Sequence, residues 1–216
     1  MLFKLDPETK ARAAGGRVRQ KNESAILSAA EIEFARSGFK GASMNDIAHR
    51  AGLPKANIHY YFKNKLSLYI AVLRDTIELW DSTLNTITPD DNPREVLSTN
   101  IRRKIRFSAE NPLASRIFAA ELISGAPNLK GYFRDDYATW FDGRTAIFRA
   151  WARQGKIDPE VSPEHLIFLL WSSTQHYADF AVQIQAALGK EILEDKDYHN
   201  ATDTLIHIIL KGCGIK

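Results

Sequence analysis

The chain of 216 residues has one cysteine, Cys213, and two methionines. A single thiol excludes an intrachain disulfide framework and any zinc site built from several cysteines. No run approaches the roughly 20 consecutive apolar residues that a membrane-spanning helix needs. The opening Met1-Leu2-Phe3-Lys4-Leu5-Asp6 lacks the apolar core of a signal peptide, so a cytoplasmic protein is expected. Strand-like alternation of useful length is missing, which points to an all-α chain. Ser172 and His176 share a helix face, yet no nucleophile elbow, oxyanion site or placed third group accompanies them. His176 and Asp179 stand three apart, too few for a metal shell, and no second pair completes one. No catalytic residue, metal ligand or cofactor is therefore assigned. An all-α enzyme or metal carrier is the reading from another class, and it would need one of these absent constellations.

Net charge is also scarce, at +3, but it is unevenly spread. Residues 1–75 hold 13 Lys and Arg against 7 Asp and Glu, whereas residues 76–216 hold 16 against 19. A basic N-terminal third suits the neutralisation of phosphates, and the remainder does not.

Within that third, residues 43–65 carry the most information. Ser43 can N-cap a helix, with Asp46 completing a capping box. Ile47, Ala48 and Ala51 share one face. Ala48 is small enough for a second helix to cross closely, and Gly52 suits a turn of positive φ. Leu53, Ile58 and Tyr61 continue the buried set. Lys55, Ala56, Asn57, His59 and Tyr60 are left facing outward, a mix of donors, a ring and a small side chain suited to base edges in a major groove. An ordinary helical hairpin with a solvated face is the plain alternative. The capping box, the apolar register and the Tyr60-Tyr61-Phe62-Lys63-Asn64-Lys65 exit together favour a helix-turn-helix. Residues 1–21, with Lys10, Arg12, Arg17, Arg19 and Lys21, read as a flexible basic arm able to follow phosphates.

Ile26, Ala30 and Phe34 give a helix from Glu23 to Ser37, ended by Gly38, with Phe39 tucked back. Asn64 should cap a long helix running towards Leu84. Prolines at 93, 112, 127 and 163 mark further helix starts, three of them after Asn or Ser, predicting helices near 93–109, 112–124, 127–154, 163–188 and 197–211. The third of these is open to a break near Gly131 or Gly143. Leu166 to Trp171 are consecutive and apolar, so that helix is buried on several sides. One side should meet a second copy, together with Leu205, Ile206, Ile209 and Leu210 of the last helix. The domains follow: arm 1–21, helix-turn-helix 22–67, ligand-binding and dimerisation body 68–216.

A flat, amide-rich ligand would need stacking faces and paired hydrogen bonds within apolar walls. Gln175 offers a donor and an acceptor, with Trp171 one turn before it; Trp80, Phe118 and Tyr177 offer further faces. For each aromatic the plain alternative is core packing. For Gln175 it is a satisfied buried amide or a dimer contact. Cys213 reads as incidental.

These residues resemble the TetR family of bacterial transcriptional regulators. The likeness rests on Ile-Leu-Ser-Ala-Ala at 26–30, Phe-Ala-Arg-Ser-Gly-Phe at 34–39, Asp-Ile-Ala at 46–48, Ala-Gly-Leu at 51–53 and Tyr-Tyr-Phe-Lys-Asn-Lys at 60–65. It implies a homodimeric repressor that binds a palindromic operator and is released by a small molecule. In that likeness Lys55, Ala56, His59 and Tyr60 fall where bases are approached. Ser43, Asn57, Tyr61 and Lys65 fall where phosphates are held. The body is similar to those of pyrimidine-utilisation regulators in Leu-Tyr-Ile-Ala-Val-Leu-Arg at 68–74, Gly-Ala-Pro at 125–127 and the run 165–183. That implies uracil, thymine or a catabolite as effector.

Overall fold

A computed structural model describes residues 9–81, 84–133 and 137–215, with side chains from Val18 onward except at 75 and 78–81. The described residues form eleven helices and no strand, as the periodicity predicts. They fall into two compact units, one ending at Leu73 and the other starting at Arg74.

The first unit holds α1 (Thr9–Gly41), α2 (Met44–Ala51), α3 (Lys55–Tyr61) and the opening of α4 (Lys65–Asp81). Gly38 breaks α1 in the left-handed region, at φ 64°, which turns Phe39 back into an aromatic trio with Phe34 and Tyr69. Ile26, Ala30, Ile47, Ile58 and Leu68 are fully buried beneath it. One charge lies in this small core. Glu33 on α1 is 3% exposed and accepts Nε and Nη2 of Arg50 on α2, both at 2.7 Å, tying the two helices together. The start of α1 departs from expectation. Residues 9–21 of the expected flexible arm are helical, and residues 1–8 lie outside the described residues. Ala11, Arg12, Ala13, Ala14, Arg17, Arg19 and Gln20 are good helix formers, and their summed propensity offsets Gly15-Gly16.

The second unit continues α4 and adds α5 (Pro93–Glu110), α6 (Pro112–Ile123), α7 (Lys130–Tyr132), α8 (Ala138–Arg153), α9 (Pro163–Asp179), α10 (Ala181–Leu188) and α11 (Asp195–Gly212). Helix α5 packs on both α9 and α11. Leu97, Ile101 and Ile105 of α5, Phe148 and Trp151 of α8, and Ile167 and Leu170 of α9 make a core at most 1% exposed. Asn92 and Ser162 cap as expected, accepting from the backbone N–H groups of Arg94 and His165.

Two predicted helices are divided. Pro127 does not open a helix, because Gly125 and Ala126 both have positive φ, 85° and 50°. The buried Glu121 carboxylate holds that turn, accepting Asn128 N at 2.6 Å and Asn128 Nδ2 at 3.1 Å. Of the four prolines this is the one without a capping residue before it. The short α7 follows at Lys130–Tyr132 and α8 begins at Ala138, with Gly143 inside α8 without breaking it. The helix expected over 163–188 stops at Phe180, at φ −118° and ψ 29°, where the ring stacks on His176 and the preceding Asp179 takes the Ser115 hydroxyl at 2.5 Å. Those tertiary contacts leave no mark on the periodicity. No helix among the described residues is long and apolar enough to cross a membrane.

Candidate nucleic-acid interface and effector cavity

Ser43 adopts extended backbone and N-caps α2, its Oγ accepting Asp46 N at 3.1 Å; the Asp46 carboxylate takes the Ser43 hydroxyl at 2.7 Å in place of the backbone N–H that a capping box would give it. Gly52 takes φ 66° to turn the chain, and the buried Ala48 leaves room for the crossing. Pro54 then launches α3. Ile58 is wholly buried and fixes the rotation of this short helix. Lys55, Ala56, Asn57, His59 and Tyr60 are exposed in consequence. Tyr60 is 73% exposed, its ring edge-on to Tyr61 at 5.2 Å. Tyr61 is half-buried, and its hydroxyl accepts Asn22 Nδ2 at 3.3 Å.

Asn64 caps α4, its Oδ1 accepting Ser67 N at 2.8 Å. Lys65 follows with a more constrained position than a solvated lysine. Its ammonium donates to the carbonyls of Ala42 at 2.9 Å and Lys40 at 3.3 Å, and lies 4.8 Å from the centre of the Phe39 ring. An ammonium has three N–H donors, so this arrangement fixes the charge at the end of α1 and still leaves one donor for an anion. Lys65→Ala should therefore have two separable effects. Loss of the carbonyl bonds should cost the first unit about 1 kcal/mol in urea unfolding. Binding to every duplex should weaken alike, with the salt slope falling by about one per protomer. Unchanged affinity and slope in salt-titrated gel shifts would refute the phosphate role even if stability dropped.

In the second unit, α4, α5, α6 and α9 surround a cavity of about 80 Å³ together with Tyr132 of α7, Phe133 and Tyr137. Of the five ligand residues expected from sequence, Phe118, Trp171 and Gln175 line it. Tyr177 does not. Two positions beyond Gln175 it projects from another side of α9, where it joins the core and faces Tyr198 at 6.3 Å. The side chain of Trp80 lies outside the described residues. The other walls are Ile77, Lys104, Leu122, Tyr132, Phe133 and Tyr137, which sequence reasoning missed. Lys104 was concealed in Arg102-Arg103-Lys104-Ile105-Arg106, which reads as a solvated basic run. Its i, i+3 and i, i+4 register with Leu97, Ile101 and Ser108 puts it on the buried face, 4% exposed. The cavity is smaller than the roughly 150 Å³ that holds a benzene ring, so a planar ring enters once the walls yield.

The wall residues Tyr137 and Trp171 belong to an aromatic set that extends beyond the cavity. Tyr137 lies 6.1 Å from Trp171, and Trp140 stacks on Trp171 at 6.1 Å and 22°. Phe141 stacks on Phe168 at 5.3 Å and 9°. Nearby, burial pushes the Asp179 carboxyl above its ordinary range; the Ser115 hydrogen bond and the charges of His176, Arg116 and Lys104 oppose that rise. His176 lies against Phe180. Burial also pushes the Cys213 thiol up to about 11, which leaves it a poor nucleophile.

A capped helix-turn-helix, followed by a larger helical body around an aromatic cavity, defines the class of ligand-responsive DNA-binding regulators. The comparisons agree. Residues 26–72 match the family described as bacterial regulatory proteins, tetR family, and residues 73–216 match the C-terminal region of YcdC-like proteins. The chain is 38% identical over 190 residues to the HTH-type transcriptional regulator RutR of Escherichia coli O157:H7, covering 88% of this chain and 89% of that one. It is 24% identical to the HTH-type transcriptional repressor LfrR of Mycolicibacterium smegmatis, over 73% and 77% of the two chains. Among solved structures, a TetR-like regulator from Rhodococcus sp. RHA1 shares its fold at a TM-score of 0.62 and 20% identity, over 90% of this chain and 97% of that one. AibR, solved with isovaleryl coenzyme A and operator DNA, shares it at 0.63 and 19%, over 87% and 97%. The chain belongs to the TetR family: it is a DNA-binding transcriptional regulator and not an enzyme.

Proposed function

We propose that the protein is a cytoplasmic, homodimeric repressor that reads a palindromic operator through α3 and is controlled by a pyrimidine held in the cavity of its body. The supporting observation for the DNA half is the outward set on α3: five exposed residues surround the single buried anchor Ile58, on the basic third of the chain. In this reading Lys55, Ala56, His59 and Tyr60 approach bases. Ser43, Asn57, Tyr61 and Lys65 hold phosphates, which fixes the register but carries little sequence information. Residues 1–21 add a basic arm. Of the last-helix residues expected at a dimer contact, Ile209 and Leu210 are buried in the protomer's own core and Leu205 and Ile206 pack against it; the apolar surface that a second copy would cover is instead Phe168, Leu169 and Ile208, 45%, 48% and 56% exposed on α9 and α11.

For the effector, support comes from the pairing of flat aromatic walls with the Gln175 amide, and from the likeness to RutR. Uracil and thymine present adjacent donor and acceptor groups on a planar ring, which a primary amide can match in pairs. A thermal-shift screen against nucleobases and their catabolites tests this. At 100 times the dissociation constant the ligand should stabilise the body by about 2.7 kcal/mol, a rise of roughly 5–10 °C. Gln175→Ala should abolish the rise while leaving the ligand-free midpoint nearly unchanged. If neither pyrimidine nor any catabolite raises the midpoint, the pyrimidine assignment fails and the DNA-binding assignment stands.

A further inference from the structure

The apolar phase of α1, set by Ile26, Ala30 and Phe34, extrapolates one turn back to residue 22, and the chain places an amide there. Asn22 is half-buried, whereas Arg19, Gln20, Lys21 and Ser24 around it are exposed. An amide on the core side of a helix needs a partner. Asn22 finds it 39 residues away, where its Nδ2 donates to the Tyr61 hydroxyl at 3.3 Å. Tyr61 is the last residue of the seven-residue α3, and its ring stands edge-on to Tyr60. At Phe62 the backbone is already extended, at φ −128° and ψ 112°, so the helix itself does little to fix the Tyr61 side chain. The direction of the Asn22 bond decides what that side chain can do. A phenol oxygen accepts as well as donates, but it carries one proton. An amide nitrogen only donates, so the Tyr61 proton is left for another partner. No acceptor among the described residues takes it.

We infer that Asn22 is a positioning residue for DNA binding: it holds the Tyr61 ring in place and leaves the hydroxyl proton to be donated to a phosphate oxygen. This rests on the proposal that Tyr61 holds a phosphate. A side chain fixed before the duplex arrives avoids the ordering cost that a free one meets on association. Phosphates are alike in every sequence, so the benefit extends to all duplexes and not to the operator alone. Asn22 and Tyr61 are also uncharged. Losing either should leave the salt slope of binding unchanged, which separates their role from that of the neighbouring Arg19 and Lys21.

The test is a double-mutant cycle on the full-length protein, read by fluorescence anisotropy with two probes: a duplex it selects from a random pool and an unrelated duplex. Asn22→Ala removes the donor, and Asn22→Leu removes it while keeping the bulk on the core side of α1. Tyr61→Phe removes the hydroxyl and keeps the ring. Melting followed by circular dichroism checks that each variant is folded at the assay temperature. Tyr61→Phe should weaken binding to both duplexes by about 10-fold or more, the loss of a hydrogen bond to a charged group. Each Asn22 variant should weaken it by roughly 3- to 10-fold on both, with the salt slope unchanged. In the Tyr61→Phe background Asn22→Ala should change affinity by less than about twofold, because its only route to the phosphate is gone. An equal further loss in that background would mean that Asn22 touches DNA itself or merely braces the head, and overturns the inference. Unchanged affinity in both Asn22 variants, beside a loss in Tyr61→Phe, overturns it too and leaves the phosphate role of Tyr61 standing. If Tyr61→Phe binds both duplexes as the wild type does, the phosphate assignment fails first and the inference falls with it.

Discussion

Tyr60→Ala should lower operator affinity by roughly 30- to 1,000-fold, with no loss of thermal stability. The side chain is 73% exposed, has its ring edge-on to Tyr61, and stands on a helix whose buried anchor is Ile58. Surface truncations of this kind stay within about 0.5 kcal/mol in stability. In a complex the ring would be buried against the groove, where loss of an aromatic anchor costs about 1–2 kcal/mol. A two-fold dimer makes the contact twice, so the cost doubles to about 2–4 kcal/mol. Tyr60 carries no charge, so the slope of affinity against salt should not change, unlike that of Lys65→Ala. Binding to unrelated duplexes should be weakened less than binding to the operator. Equal loss on every sequence would make Tyr60 a backbone contact; no loss on any would remove α3 as the reading helix.

The head was legible in the sequence because its determinants are local. Ser43 and Asp46 are three apart, Ala48 and Gly52 four apart, and the buried positions follow one period, so each inference needed only its neighbours. Helix starts in the body were legible for the same reason wherever Asn or Ser preceded proline. Pro127 misled because the turn there is set by Glu121, whose carboxylate reaches forward seven residues to Asn128. The break at Phe180 depends on Ser115, 64 residues before Asp179. The cavity lay furthest from the reach of sequence. Trp171 and Gln175 could be paired because one helix carries both. Lys104, Phe118 and Tyr137 come from three other helices or their ends, and no period relates them. Tyr177 failed as a ligand residue because a wide apolar helix buries several faces at once, and residue type alone does not say which face a ring joins.

The second large effect concerns the core beneath that cavity. Trp151→Ala should destabilise the second unit by about 3–5 kcal/mol. The ring is 0% exposed, sits 4.9 Å from Phe148, and shares one buried core with Leu97, Ile101 and Ile105 of α5, Ile167 and Leu170 of α9, and Ile209 and Leu210 of α11. Helices on three sides cannot all collapse into the vacated space, so a cavity term adds to the lost burial. Against a typical domain stability of about 5–15 kcal/mol, this brings the unit close to unfolding at 37 °C. Trp151→Phe should behave differently. The indole N–H has no acceptor among the described residues, so the substitution removes no hydrogen bond there and relieves a buried unpaired donor. That relief, about 1–3 kcal/mol, opposes the smaller cavity left by a phenyl ring. Urea unfolding should therefore place the Phe variant near the wild-type midpoint and the Ala variant far below it, with similar slopes. A Phe variant as unstable as the Ala variant would mean that the indole N–H is bonded to a buried water, and that Trp151 is retained for that bond and not only for its volume.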